Sequence, residues 1–91
     1  MIVKLFGVVD RVSGVVDGPH KSVNEGQFLR SFADACRDTT QGISAHPEDF
    51  YAIDIGSFND SNGEIMPLEG GPKRIADATD FVRKLKDEEN K

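Results

Sequence analysis

The 91-residue chain has a single cysteine, no long apolar run and no excess of positive charge. Each shortage excludes a class of protein. With Cys36 alone, an intramolecular disulfide and a cysteine-based zinc cluster are both ruled out. No apolar stretch approaches the roughly 18 residues a membrane span needs, and Met1–Val9 lacks a signal peptide's charged head and cleavage site. A soluble protein with no membrane partner is expected. Lys and Arg number 11 against 16 Asp and Glu, a net charge of −5 with a pI near 4.8. That balance argues against a dedicated non-specific DNA-coating protein, which relies on positive charge to displace counterions. Hydrophobic residues at 37% and charged residues at 30% suit one small domain spanning 1–91.

What is present reads as alternating strands and helices. Ile2–Val9 is nearly all β-branched or aromatic, the pattern of a strand covered on both faces or lying at a dimer seam. Asp10, Ser13 and Gly14 supply turn chemistry, and Val15–Val16 restart an extended segment that Pro19 confines to an edge. Phe28, Phe32, Ala35 and Cys36 form the apolar stripe of a helix from Glu25 to Arg37. Ser22-x-x-Glu25 and Asn24-x-x-Gln27 both fit a capping box, and Asn24 is preferred as N-cap. His46-Pro47-Glu48-Asp49 is a punctuated turn. Phe50–Phe58 alternates, with Tyr51, Ile53 and Ile55 on one face and Ala52, Asp54 and Gly56 on the other. Asn62-Gly63 closes a hairpin whose return strand is Glu64–Leu68. After the linker Glu69-Gly70-Gly71-Pro72, a second helix should carry Ile75, Ala78, Phe81, Val82 and Leu85 on one stripe, and a polar tail occupies about 87–91. The expected fold is α+β, an antiparallel sheet of three to four strands with two helices in the approximate order β(β)αββα.

Catalytic and metal chemistry finds little support. Cys36 sits on the apolar helix stripe as a small hydrophobe, and neither His20 nor His46 is near it in sequence. Asp60-Ser61-Asn62-Gly63-Glu64 resembles part of a calcium loop, but an EF-hand would place its first oxygen ligand at Phe58. No phosphate-cradling glycine motif occurs. No catalytic residue, metal or cofactor is expected. The remaining candidates are cations: Lys4, Arg11, Lys21, Arg30, Arg37, Lys73, Arg74, Arg83, Lys84 and Lys86. Residues 41–72 carry six acidic side chains and no Lys or Arg. A phosphate backbone should avoid that hairpin and use Arg30, Arg37, Lys73, Arg74, Arg83 and Lys84 instead. Tyr51 and Phe58 are the plausible base-stacking rings, but both lie in the acidic segment. Any DNA contact is therefore expected to be weak, electrostatic and sequence-tolerant.

The stretch Gln27-Phe28-Leu29-Arg30-Ser31-Phe32-Ala33-Asp34-Ala35-Cys36, then His46-Pro47-Glu48-Asp49-Phe50, Ile55-Gly56-Ser57-Phe58-Asn59-Asp60 and Gly63-Glu64, resembles the small nonstructural protein of gokushoviruses. These are Microviridae, phages with circular single-stranded DNA genomes. Ala78-Thr79-Asp80-Phe81 is similar to a late segment of that family, while Pro19-His20-Lys21-Ser22 departs from the apolar run that relatives often carry. The resemblance implies a non-enzymatic phage protein of the host cytoplasm that supports single-stranded DNA synthesis or packaging. A protein–protein adaptor linking replication machinery to the procapsid, without DNA affinity of its own, is the alternative. Single-stranded DNA, phage replication or capsid proteins, and a second copy of the chain are the expected partners. A homo-oligomer is expected because Ile2–Val9 is so continuously apolar.

Overall fold

A computed structural model describes residues 1–40 and 42–82, and its first element is the expected apolar strand, β1 (Ile2–Asp10). The turn after it works as its residues suggest. Asp10 Oδ1 accepts from the Val12 amide at 2.9 Å, and Gly14 takes the left-handed conformation at φ 75°. The chain then returns antiparallel as β2 (Val16–Ser22), an edge strand as Pro19 requires. Helix α1 (Glu25–Arg37) begins at Asn24, whose Oδ1 accepts from the Gln27 amide at 2.9 Å. Gln27 Oε1 reaches back to the Val23 amide and the Ser22 hydroxyl, so both polar ends of the capping sequence are used.

A short helix, α2 (Gly42–Ala45), and a 3-10 turn, Pro47–Asp49, lead into the long strand β3 (Phe50–Asn59). Helix α2 was not expected from sequence. Its four residues are too few for a periodic signal, and what holds it is Ile43 packing against the core. The hairpin loop forms as read, with Gly63 at φ 81° and its amide donating to the Asn59 carbonyl. β4 (Ile65–Pro67) returns beside the end of β3.

The segment after the 69–72 linker differs from expectation. Lys73–Asp77 is a strand, β5, and of the described residues after the linker only 78–82 are helical. Unpaired backbone along Tyr51–Asp54 explains the difference. β1 occupies one edge of β3, and β4 covers only its far end on the other. β5 fills the rest, pairing Tyr51 with Asp77 and Ala52 with Ala76. The helix then starts where a reciprocal cap is available, the Asp77 amide donating to Asp80 Oδ2 at 3.3 Å. The sheet consequently has five strands in the order β2-β1-β3-β4, with β5 also on β3, rather than three to four. Arg83, Lys84, Leu85 and the polar tail lie outside the described residues.

One face of this sheet carries the core. Phe6 and Ala52 meet Phe28, Phe32 and Cys36 of α1 and Ala78 of the last helical turn, with Val8, Ile43, Phe81 and Val82 packed around them. Phe6 stacks on Phe28 at a centroid distance of 4.6 Å, and Phe81 meets Phe32 edge-on at 5.7 Å. Cys36 is fully buried, and desolvation pushes its thiol up to about 11, in keeping with a hydrophobe's role. Helices α1 and α2 and residues 78–82 all pack on this face.

Candidate functional site

The uncovered face is set by strand alternation and one irregularity. Val3, Leu5, Gly7 and Val9 of β1 point to it, because Phe6 and Val8 point to the helices. Their partners share the face: Val9 pairs with Tyr51, Gly7 with Ile53, and Val3 with Phe58. Tyr51 and Phe58 are seven positions apart, so strict alternation would put them on opposite faces. A bulge reverses that. Leu5 pairs with Gly56 and Phe6 with Asp54, leaving Ile55 as the extra residue of β3. The expected face assignment therefore holds from Tyr51 to Ile55, and beyond the bulge Gly56 and Phe58 join Tyr51's side.

Two features hold the bulge. Gly56 sits at φ 148°, and a Cβ there would lie 2.3 Å from the Met66 carbonyl oxygen. Only glycine fits. Asp54, 9% exposed on the helix side, accepts from the Gly56 amide at 3.1 Å and pairs with Lys4 at 3.2 Å. One of the six carboxylates of residues 41–72 is thus neutralised and turned away from the open face.

Cations from other strands take the place that sequence proximity assigned to acids. Arg11, just past β1, sets its guanidinium carbon 5.0 Å from the Tyr51 ring centroid, and Arg74 of β5 sets its own at 4.7 Å. Asp77 ties the two together, lying 3.5 Å from Arg11 and hydrogen-bonded to Arg74. At the other end, Lys21 Nζ of β2 is 5.9 Å from the Phe58 ring centroid. Lys21, Phe58, Leu5, Pro19 and Ile65 line a shallow groove of about 320 Å³. The face therefore carries an aromatic ring with cations at each end, and between them lie Leu5 and Ile53, both buried, and the half-buried Ile55. Exposed cation–π contacts of this kind contribute about 0.5–1 kcal/mol each, enough to hold the rings and cations together while leaving them available.

Of the six cations expected from sequence, the four among the described residues are not brought to one place. Arg30 and Arg37 are exposed on α1, on the helix layer of the molecule. Lys73 pairs in register with Asp54 and so shares the helix-side register, whereas Arg74 reaches Tyr51 on the open face. Arg83 and Lys84 fall outside the described residues. Arg11 and Lys21 were among the candidate cations but outside the expected site. Arg11 continues the odd-numbered positions of β1, but Lys21 reaches this face only by pairing with Leu5 across the hairpin, which the register alone decides.

Elsewhere, His46, Glu48 and Asp49 bring one ligand atom each within 4.8 Å on the 3-10 turn, an arrangement that a solvated acidic turn also produces. A cleft of about 420 Å³ lies between β2 and α1, lined by Asp17, His20, Gln27 and Phe28 among others. No described helix is long and apolar enough to cross a membrane.

Comparison with known proteins gives a family match. The family described as Phage ORF5 protein matches residues 3–81, which include all but the first residue of β1, and all of β2, α1 and β3 to β5. No curated protein and no solved structure matches the chain. Because the match spans most of the molecule and the whole sheet, the chain belongs to the Phage ORF5 protein family.

Proposed function

We propose that this phage protein is a non-catalytic accessory protein of a gokushovirus, acting in the host cytoplasm in single-stranded DNA synthesis or packaging by contacting the DNA directly. The observation that supports this reading is the convergence of Arg11, Lys21 and Arg74, from three separate strand regions, over the two half-buried rings of the open face. Cations bind phosphate and release counterions, while rings offer apolar contact to bases without reading a sequence. The net charge of −5 keeps such binding weak and salt-sensitive.

Salt-titrated fluorescence anisotropy with single- and double-stranded oligonucleotides tests it. Binding at low salt should weaken steeply between about 50 and 200 mM. Absence of binding at low salt would move the assignment to the second reading, an adaptor between replication machinery and procapsid. The apolar middle of the same face favours that reading, with Val16 and Ile65 exposed beside the nearly buried Leu5 and Ile53.

A further inference from the structure

We infer that the ligand of the open face is a single strand of nucleic acid laid along β3, with one base at the Tyr51 cluster and another in the Phe58 groove. This rests on the nucleic-acid reading above and adds a path, a polarity of contacts and a length. Tyr51 and Phe58 stand near opposite ends of one strand, on one face, because of the bulge between them. Six regular steps at about 3.4 Å separate them by roughly 20 Å. A stacked single strand advances about 3.4 Å per nucleotide, so about six nucleotides span the rings, and an unstacked strand needs fewer.

Each end offers a stacking surface and a phosphate partner. At Tyr51, a base can displace one guanidinium from the ring or stack on its outer plane, and the freed nitrogen atoms of Arg11 and Arg74 can take phosphate oxygens. Asp77 competes for those same guanidiniums, which limits affinity. At Phe58, the groove of Leu5, Pro19 and Ile65 gives the base apolar walls, and Lys21 supplies the charge. Between the two ends, Val16 and Ile55 close over Gly7 and the backbone of β4 closes over Gly56, so the strand crosses an apolar, filled surface there. A duplex cannot use either ring, since its bases are already stacked and paired. The charge placement favours this occupant over a second copy of the chain. Two identical faces apposed would bring Arg11, Arg74 and Lys21 against their own kind, with Asp77 as the counter-charge placed among them.

The sequence supplies a direct probe. The chain has one tyrosine and no tryptophan, so near-ultraviolet emission from the full-length protein reports on Tyr51 alone. Titration with oligo-dT of two, four, eight and twelve nucleotides, followed by tyrosine emission and by anisotropy, should show quenching that tracks binding. Affinity should rise steeply up to about six nucleotides and then level off. Tyr51→Ala and Phe58→Ala should each weaken binding of the eight-nucleotide strand roughly tenfold, and Tyr51→Phe should restore it. Circular dichroism establishes that each variant folds; if Tyr51→Ala does not, Arg11→Ala and Phe58→Ala carry the test. Binding with unchanged tyrosine emission and unchanged affinity in the ring variants would overturn the path but leave the nucleic-acid reading standing. Equal affinity for a duplex of the same length would do the same. No binding of any oligonucleotide at low salt would overturn both, and sedimentation equilibrium showing a dimer unaffected by oligo-dT would give the face to a second copy.

Discussion

The two faces of the sheet use the same residue types for opposite ends. On the covered face, rings meet rings: Phe6 stacks on Phe28, Phe28 lies 6.3 Å from Phe32, and Phe32 meets Phe81. On the open face, rings meet cations, Tyr51 with Arg11 and Arg74 and Phe58 with Lys21. A ring packed against other rings loses all its water and gives its full transfer free energy to folding. A ring half-covered by a charged side chain keeps an exposed surface and a partner that a phosphate can attract. The difference teaches that an aromatic residue's role here follows from what the neighbouring strand places over it. Its own sequence neighbours are a poor guide: Tyr51 and Ala52 are adjacent, yet one stands under arginines and the other is fully buried in the core.

The sharpest way to break the comparison is to delete a ring from each face. Phe32→Ala should cost about 3–5 kcal/mol of stability, close to the whole stability of so small a domain, whereas Phe58→Ala should cost about 1 kcal/mol. Urea denaturation of the two variants measures both, and similar losses would mean that the open face is a second core. Next in size is Gly56→Ala. With φ 148° and a carbonyl oxygen 2.3 Å from the new Cβ, the bulge cannot persist unchanged, and a loss of about 2 kcal/mol or more is expected. Amide exchange at Ser57 and Phe58 should speed up in that variant, marking where register is lost.

A smaller effect distinguishes the faces by charge. Arg11→Ala with Arg74→Ala should weaken single-stranded DNA binding about tenfold and flatten its salt dependence, while Arg30→Ala with Arg37→Ala should change affinity less than about twofold. The reverse ranking, read by anisotropy at two salt concentrations, would shift the contact surface to α1. The smallest effect is alkaline. Burial raises the Cys36 pKa in the folded chain from 9.0 to about 11, so the neutral thiol favours the folded state. That contribution is complete below pH 9 and fades as pH rises toward 11. The urea midpoint should fall between pH 8.5 and about 10.5 by more in the parent than in Cys36→Ala. Equal slopes would show that Cys36 is open to solvent.

Local chemistry was legible wherever a few neighbouring residues decide the outcome. The Asn24 cap, the Asp10–Gly14 turn and the Asn62-Gly63 hairpin all formed as their side chains require. The helix stripe of Phe28, Phe32 and Cys36 also read correctly, because its period already describes a buried face. Lys73–Asp77 did not. Its apolar spacing suits a helix, while Asp77-Ala78-Thr79-Asp80 marks the later point at which the helix starts. What made the segment a strand was a free edge on β3, about twenty or more positions upstream in register.

By itself, then, the chain's composition and periodicity determined an α+β domain with a covered apolar face, one helix built on three aromatic and sulfur-bearing anchors, and a secure hairpin. Those follow from interactions within a turn or two of chain. The tertiary structure alone decided which side Phe58 faces, since a single unpaired residue at Ile55 inverts every later side chain of β3. It also decided the charge of the candidate site. Residues 41–72 are purely acidic as a segment, but a sheet assembles its surface across strands, and β1, β2 and β5 bring Arg11, Lys21 and Arg74 to rings that sequence had surrounded with carboxylates.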